Sequence, residues 1–188
     1  MKLLTLFIIS LMLFSCSGKK EDNTLTLGLI KGITSLDPAM AFDGKSLKLI
    51  AQSYEPLYQY HYQIRPFKII PLLAEGMPQW NGERTSLTIK IKKGIRYHDH
   101  PLFEGKKRYV VAQDFINQLK RLAFKPLNSP GYGFFNIIKG LEEFSKTVGN
   151  NVLLFAKTPI SGAKAVDDYT LRFDLKRKSP NFIWSSVT

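Results

Sequence analysis

A short irregular loop, pinned between a strand pattern and a helix pattern, constrains this chain more than any other feature. Thr24-Leu25-Thr26-Leu27-Gly28-Leu29 alternates polar and apolar residues, the pattern of a strand with one buried face. Asp37-Pro38 ends that extension, because proline lacks an N–H and pushes the residue before it out of the α region. Leu47, Ile50, Ala51 and Tyr54 then recur at i, i+3, i+4 and i+7, the spacing of one helix face. Asp43 is placed to cap that helix and Pro56 to stop it. Strand, irregular loop and helix in this order put flexible backbone at the carboxyl end of a strand, where α/β proteins bind ligands.

The 188 residues carry a formal charge of +12 and one cysteine. Lys2 precedes an apolar run from Leu3 to Phe14, broken by Thr5 and Ser10. The run is too short to span a bilayer comfortably and fits a secretory signal. Leu13-Phe14-Ser15-Cys16 resembles the bacterial lipobox, in which the cysteine is lipidated and becomes the new N-terminus. The alternative is an ordinary secretory signal with an incidental cysteine. The expected organisation is a lipoprotein signal peptide over residues 1–16, a polar tether over 17–24 and a folded domain over 25–188. With Cys16 acylated, no thiol remains for a disulfide, a metal or nucleophilic catalysis. The cations are dispersed, with Lys106-Lys107-Arg108 and Lys176-Arg177-Lys178 as the short runs. A solvated basic surface near anionic head groups is expected, and no nucleic-acid partner.

Further along, Tyr58, Tyr60 and Tyr62 alternate with Gln59 and His61, as in a strand or extended edge. Such a stripe packs a half-buried sheet more often than it stacks on a ligand. Asn81-Gly82 signals a turn. Leu87, Ile89 and Ile91 then alternate with Thr88, Lys90 and Lys92. Ala112, Phe115, Ile116, Leu119 and Leu122 define a helix face, with Lys120 and Arg121 off it. A loop from Lys125-Pro126 to Ser129-Pro130-Gly131 leads to a second helix expected from Phe134 to Phe144, and Thr147 to Asn151 breaks it. Leu171, Phe173 and Leu175 alternate as a further strand.

Acids such as Glu55, Asp99 and Asp114 form no recognisable catalytic pair. Neither a nucleophile elbow nor a phosphate-binding glycine loop is present in the sequence. His98 and His100 would share a strand face, and with Asp99 or Glu104 could begin a metal site for a metal-dependent secreted hydrolase. A binding module nevertheless explains the residues better than an enzyme, and no cofactor is expected.

Ser35-Leu36-Asp37-Pro38, Glu55-Pro56-Leu57, Ile70-Pro71-Leu72-Leu73-Ala74 leading to Trp80, and Lys93-Gly94-Ile95-Arg96-Tyr97-His98-Asp99 follow one another in this order. The helix beginning Val110-Val111-Ala112-Gln113-Asp114, with Arg121, comes next, then Ile160-Ser161-Gly162-Ala163-Lys164-Ala165-Val166-Asp167-Asp168-Tyr169-Thr170-Leu171 and Ser179-Pro180-Asn181-Phe182. The set resembles the extracytoplasmic solute-binding proteins of ABC importers, peptide and dipeptide type, known as family 5. The resemblance runs from about Leu25 to the end of the chain.

It implies an α/β fold like type II periplasmic binding proteins. A first lobe with a mixed β-sheet and flanking helices is expected, incomplete and without the second lobe, because the chain is much shorter than the family; an N-terminal fragment or prematurely ended product is the expectation. The implied function is a receptor in the cell envelope, extracytoplasmic and lipid-anchored through Cys16, that captures oligopeptides or dipeptides for an ABC permease. Nickel or another small solute is the alternative within the family. The resemblance places ligand-facing loops at Ala41-Phe42-Asp43-Gly44 and at Tyr132; an ordinary loop aromatic is the other reading of Tyr132.

Overall fold

Alternation with period two builds the central sheet. The computed structural model describes residues 23–25, 28 and 32–186. The expected signal peptide, Cys16, most of the expected tether and half of the strand pattern at residues 24–29 lie outside the described residues. Residues from 33 onward form one unit, which holds every strand and helix among the described residues. Strand β1 (Tyr58–Tyr60) pairs with β2 (Ile69–Pro71) as a separate two-stranded ribbon. The larger sheet contains β3 (Gln79–Trp80), β4 (Ser86–Lys90), β5 (Ala163–Asp167) and β6 (Thr170–Asp174), in the order β3-β4-β6-β5. Register places Leu87 opposite Phe173 and Ile89 opposite Leu171, so the apolar positions of both central strands share one face. Leu87, Ile89, Ile91, Leu171, Phe173 and Leu175 are all buried, as their alternation predicts. Thr88 and Arg172 pair on the opposite face.

Helices cover the apolar face, so the expected α/β architecture is present. In one respect the pairing differs from the expected mixed sheet: every strand pair among the described residues is antiparallel. Parallel neighbours need a crossover of a dozen or more residues, whereas β3–β4 and β5–β6 are hairpins. The β3–β4 turn is organised by Asn81, whose Oδ1 accepts the Thr85 and Ser86 N–H groups at 2.9 and 3.0 Å. The β5–β6 turn does more than reverse the chain. Its Tyr169 carbonyl accepts Ile91 N–H at 2.8 Å, and its Asp168 carbonyl accepts Ala112 N–H at 2.7 Å. One turn thus fixes the end of β4 and the start of the main helix.

The helices are α1 (Gly44–Ile50), α2 (Ala112–Ala123), α3 (Tyr132–Phe135), α4 (Leu141–Val148) and α5 (Val152–Lys157). Helix α2 buries Ala112, Ile116, Leu119 and Leu122 as expected, with Phe115 half-buried. Lys120 departs from expectation: it is buried, with a relative exposure of 7 %. Its Nζ donates to the Phe155 and Ala156 carbonyls at 3.4 and 3.3 Å, groups left without helical partners at the end of α5. Burial holds its pKa below the ordinary lysine value.

Two helix expectations need correction. The single helix from Phe134 to Phe144 is two, α3 and α4, because residues 137–139 pair with the sheet instead. Ile138 bridges Leu175, Lys139 N–H reaches the Asp174 carbonyl at 3.0 Å, and Lys176 N–H reaches the Ile137 carbonyl at 2.8 Å. Gly140, at φ +78°, then turns the chain into α4. Helix α1 ends at Ile50, well before Pro56, and Leu47 and Tyr54 are exposed. Its buried side chains are Ser46 and Ile50.

Candidate functional site

The loop from Thr34 to Asp43 is tied down by short polar side chains. The Asp37 carbonyl accepts the Met40 and Ala41 N–H groups, each at 3.0 Å. Its carboxylate accepts Ala39 N–H at 3.0 Å on one oxygen and the Arg121 guanidinium at 2.5 Å on the other. Arg121 belongs to α2, so this pair fastens the loop to the helix beside the sheet. At the other end Asp43 caps α1, accepting Lys45 and Ser46 N–H at 3.2 and 3.0 Å. The Thr34 hydroxyl donates to Asp43, and the buried Ser46 hydroxyl accepts Thr34 N–H at 3.1 Å. The Ser46 and then the Thr34 hydrogen bonds hold the Asp43 carboxyl well below the usual carboxylate range.

Between these anchors, Ala41 is buried and Phe42 projects outward with 60 % of its surface exposed. The Phe42 ring stacks on Phe134 of α3, centroids 6.1 Å apart and planes at 29°. Phe134 is itself 54 % exposed. The two segments singled out in the sequence, 41–44 and the one containing Tyr132, therefore meet through side chains. Gly44 is the first residue of α1 and leaves the neighbourhood of its Cα open.

Tyr132 opens α3 but leans on the core rather than joining the pair. Burial, and then the charge of Glu142, push its hydroxyl pKa up. Phe134 is the residue that sequence reasoning missed. Read as part of a long helix, it had no reason to stand out; its place just after the turn residues Ser129-Pro130-Gly131 was the available signal. The resulting surface is a pair of exposed aromatic faces flanked by an ionised carboxylate. It offers apolar contact and fixed polar groups at one edge, the mixture that binding sites use.

The residues weighed for catalysis are separated. Asp114 accepts Val111 N–H at the start of α2 and pairs with Arg108; Asp99 lies 3.9 Å from Arg96. His100 Nδ1 accepts Leu102 N–H at 3.2 Å, capping a short 3₁₀ turn at Pro101–Phe103. Among the described residues, no three metal-ligating side chains come together. An open groove of about 550 Å³ lies elsewhere, lined by Lys139, Glu143, Thr147, Ser161 and Lys176.

Similarity to known proteins identifies the family and the fold. The profile of the bacterial extracellular solute-binding proteins, family 5 Middle, matches residues 68–186. The oligopeptide-binding protein AmiA of Streptococcus pneumoniae is 32 % identical over 120 residues, covering 63 % of this chain and 16 % of AmiA. The pheromone receptor PrgZ superposes with a TM-score of 0.64 at 25 % identity, over 82 % of this chain and 27 % of that one. OppA of Listeria monocytogenes bound to peptide gives 0.59 at 24 %, covering 79 % and 26 %. DppA of Helicobacter pylori in complex with a peptide gives 0.60 at 24 %, covering 82 % and 27 %. The chain thus spans about a quarter of the length of these solved relatives, and its fold is that of the type II periplasmic binding proteins. It belongs to the bacterial extracellular solute-binding proteins of family 5.

Proposed function

We propose that this chain is part of a lipid-anchored receptor that captures oligopeptides or dipeptides outside the membrane for an ABC permease. In this reading residues 1–16 are a lipoprotein signal peptide, Cys16 carries the lipid, 17–24 are the tether and 25–188 belong to the binding domain. Ala41, Phe42, Asp43, Gly44 and Tyr132 are ligand-facing, and Phe134 joins them. The observation that carries the proposal is the Phe42–Phe134 stack, which brings a loop and the short helix α3, far apart in sequence, into one exposed surface. The oligopeptide-binding and peptide-bound relatives support peptide as the ligand class.

An extended peptide offers main-chain N–H and C=O groups at regular intervals and side chains on alternate sides. Apolar side chains lie on the aromatic pair, and donors near the peptide's backbone or amino end face the Asp43 carboxylate. These residues form one wall of a cleft, and a hinge movement closes the opposite wall over the ligand, as in other two-lobed receptors.

A thermal-shift screen of the full-length receptor with di- to pentapeptides tests the ligand class. Stabilisation by peptides is expected. Stabilisation by sugars or metal chelates with none by any peptide overturns it. The anchor has its own test: Cys16→Ser should move the protein out of the detergent phase, because acyl chains contribute about 0.8 kcal/mol per buried CH₂. Unchanged partitioning would contradict the lipid assignment.

A further inference from the structure

The β1–β2 ribbon ends in a tip whose chemistry the peptide site does not use. Between Glu55 and Glu75 the sequence has no acidic residue, while Arg65 and Lys68 lie at the tip. Tyr62 is 80 % exposed and Phe67 58 %, and Ile64 is exposed beside them. At the base Tyr60 packs against Phe67 and against Trp184, each with ring centroids 5.6 Å apart. The result is one exposed aromatic and aliphatic surface with cations and no carboxylate from its own ribbon.

The tip also pairs several of its own backbone groups. His61 Nδ1 accepts the Gln63 and Ile64 N–H groups, both at 3.3 Å. The Arg65 guanidinium donates to the Tyr62 and Ile64 carbonyls at 3.1 and 3.0 Å, and stands 4.3 Å over the Phe67 ring. His61 N–H reaches the Lys68 carbonyl at 2.8 Å and closes the ladder below. Backbone groups paired in this way lose little when they leave bulk water, and a loop entering an apolar interface needs that property.

We propose that this tip docks on the surface of an anionic bilayer. Tyr, Trp and Phe rings favour the head-group level, where an apolar body and a polar edge are both accommodated. Arg65 and Lys68 are attracted to anionic head groups. The occupant is chosen by charge complementarity: an acid-free cationic rim around an aromatic face fits a negative lipid surface. The inference is independent of the peptide-binding reading.

The test uses the full chain with Cys16→Ser and one new cysteine, Gln63→Cys, labelled with an environment-sensitive fluorophore. Glu83→Cys, in the polar β3–β4 turn, is the control. Vesicles of phosphatidylglycerol and phosphatidylcholine should shift and brighten the label at 63 and leave that at 83 unchanged. Pure phosphatidylcholine should give far weaker partitioning at 63. Arg65→Gln with Lys68→Gln should lower partitioning to anionic vesicles about 30-fold, roughly fivefold per charge. Lys68→Gln alone leaves the carbonyl contacts of Arg65 in place and should lower it about fivefold. An unchanged label at 63 with anionic vesicles, or an equal response at 83, overturns the proposal. So does concentration-dependent self-association that Phe67→Ser abolishes, which assigns the surface to a second copy.

Discussion

Disrupting the Asp37–Arg121 pair should loosen the site's loop by a measurable and bounded amount. The two charged atoms are 2.5 Å apart, and the side chains are 28 % and 40 % exposed, so solvent screens them only in part. Fully exposed pairs contribute about 0.2–1 kcal/mol, much of the loss coming from the entropy of holding two long side chains. Here Asp37 is already fixed by Ala39 N–H and by the Ser35 hydroxyl, which accepts Asp37 N–H at 3.0 Å. Little ordering cost remains on that side, which places the coupling near the top of the range, about 1 kcal/mol. Asp37→Asn keeps an acceptor for Ala39 N–H and removes only the charge; Asp37→Ala also removes that hydrogen bond, for about 1 kcal/mol more. A double-mutant cycle of Asp37→Asn and Arg121→Gln, measured by urea denaturation, isolates the pair. Molar salt, which shortens the screening length from about 10 to about 3 Å, should reduce the coupling. Additivity of the two changes within about 0.3 kcal/mol would refute the claim that this pair fastens the loop to α2.

Other outcomes rest on single groups. Asp43 titrates below its ordinary value of 3.8, so its contribution is complete above that pH and is lost as pH falls through and below it. The melting temperature should show this acid slope in the native protein and a weaker one in Asp43→Asn. Lys120 titrates below its ordinary 10.5 when folded, so the unfolded chain holds more protons in the window below 10.5. Stability should therefore gain from this group as pH rises toward 10.5, and a pH series of Lys120→Met should lack that gain. A Cβ on Gly162 would lie 2.6 Å from the carbonyl oxygens of both Lys139 and Asp174, which are backbone atoms. Gly162→Ala should cost about 3 kcal/mol in chemical denaturation, at the upper end of overpacking effects.

Much of the fold was legible because local pattern and tertiary demand agree. Leu87, Ile89 and Ile91 alternate with polar residues, and so do Leu171, Phe173 and Leu175; each set faces helices on one side and water on the other. The start of α2 could be read from the same kind of regularity. Reading failed where a distant partner decided. Lys120 is buried because two carbonyls at the end of α5 need donors, and nothing near it in sequence shows them. Ser46, not Leu47, is buried with Ile50 in α1 because its hydroxyl meets Thr34 across the loop. Residues 137–139 left the helix for the sheet edge offered by Asp174 and Leu175. In the site, the Asp43 cap could be read directly, whereas the Phe42–Phe134 contact joins two elements that meet only after the core has formed.

The central claim is that residues 41–44 and the start of α3 form a wall that contacts peptide. An amide NMR titration of this chain with a short apolar peptide, carried to millimolar concentration, tests it directly, because one wall alone binds weakly yet still shifts the signals it touches. Saturable shifts confined to residues 41–44 and 131–135 are expected, and their loss in Phe42→Ala. Shifts centred instead on the groove at Lys139, Ser161 and Lys176, or none at millimolar peptide, would contradict it.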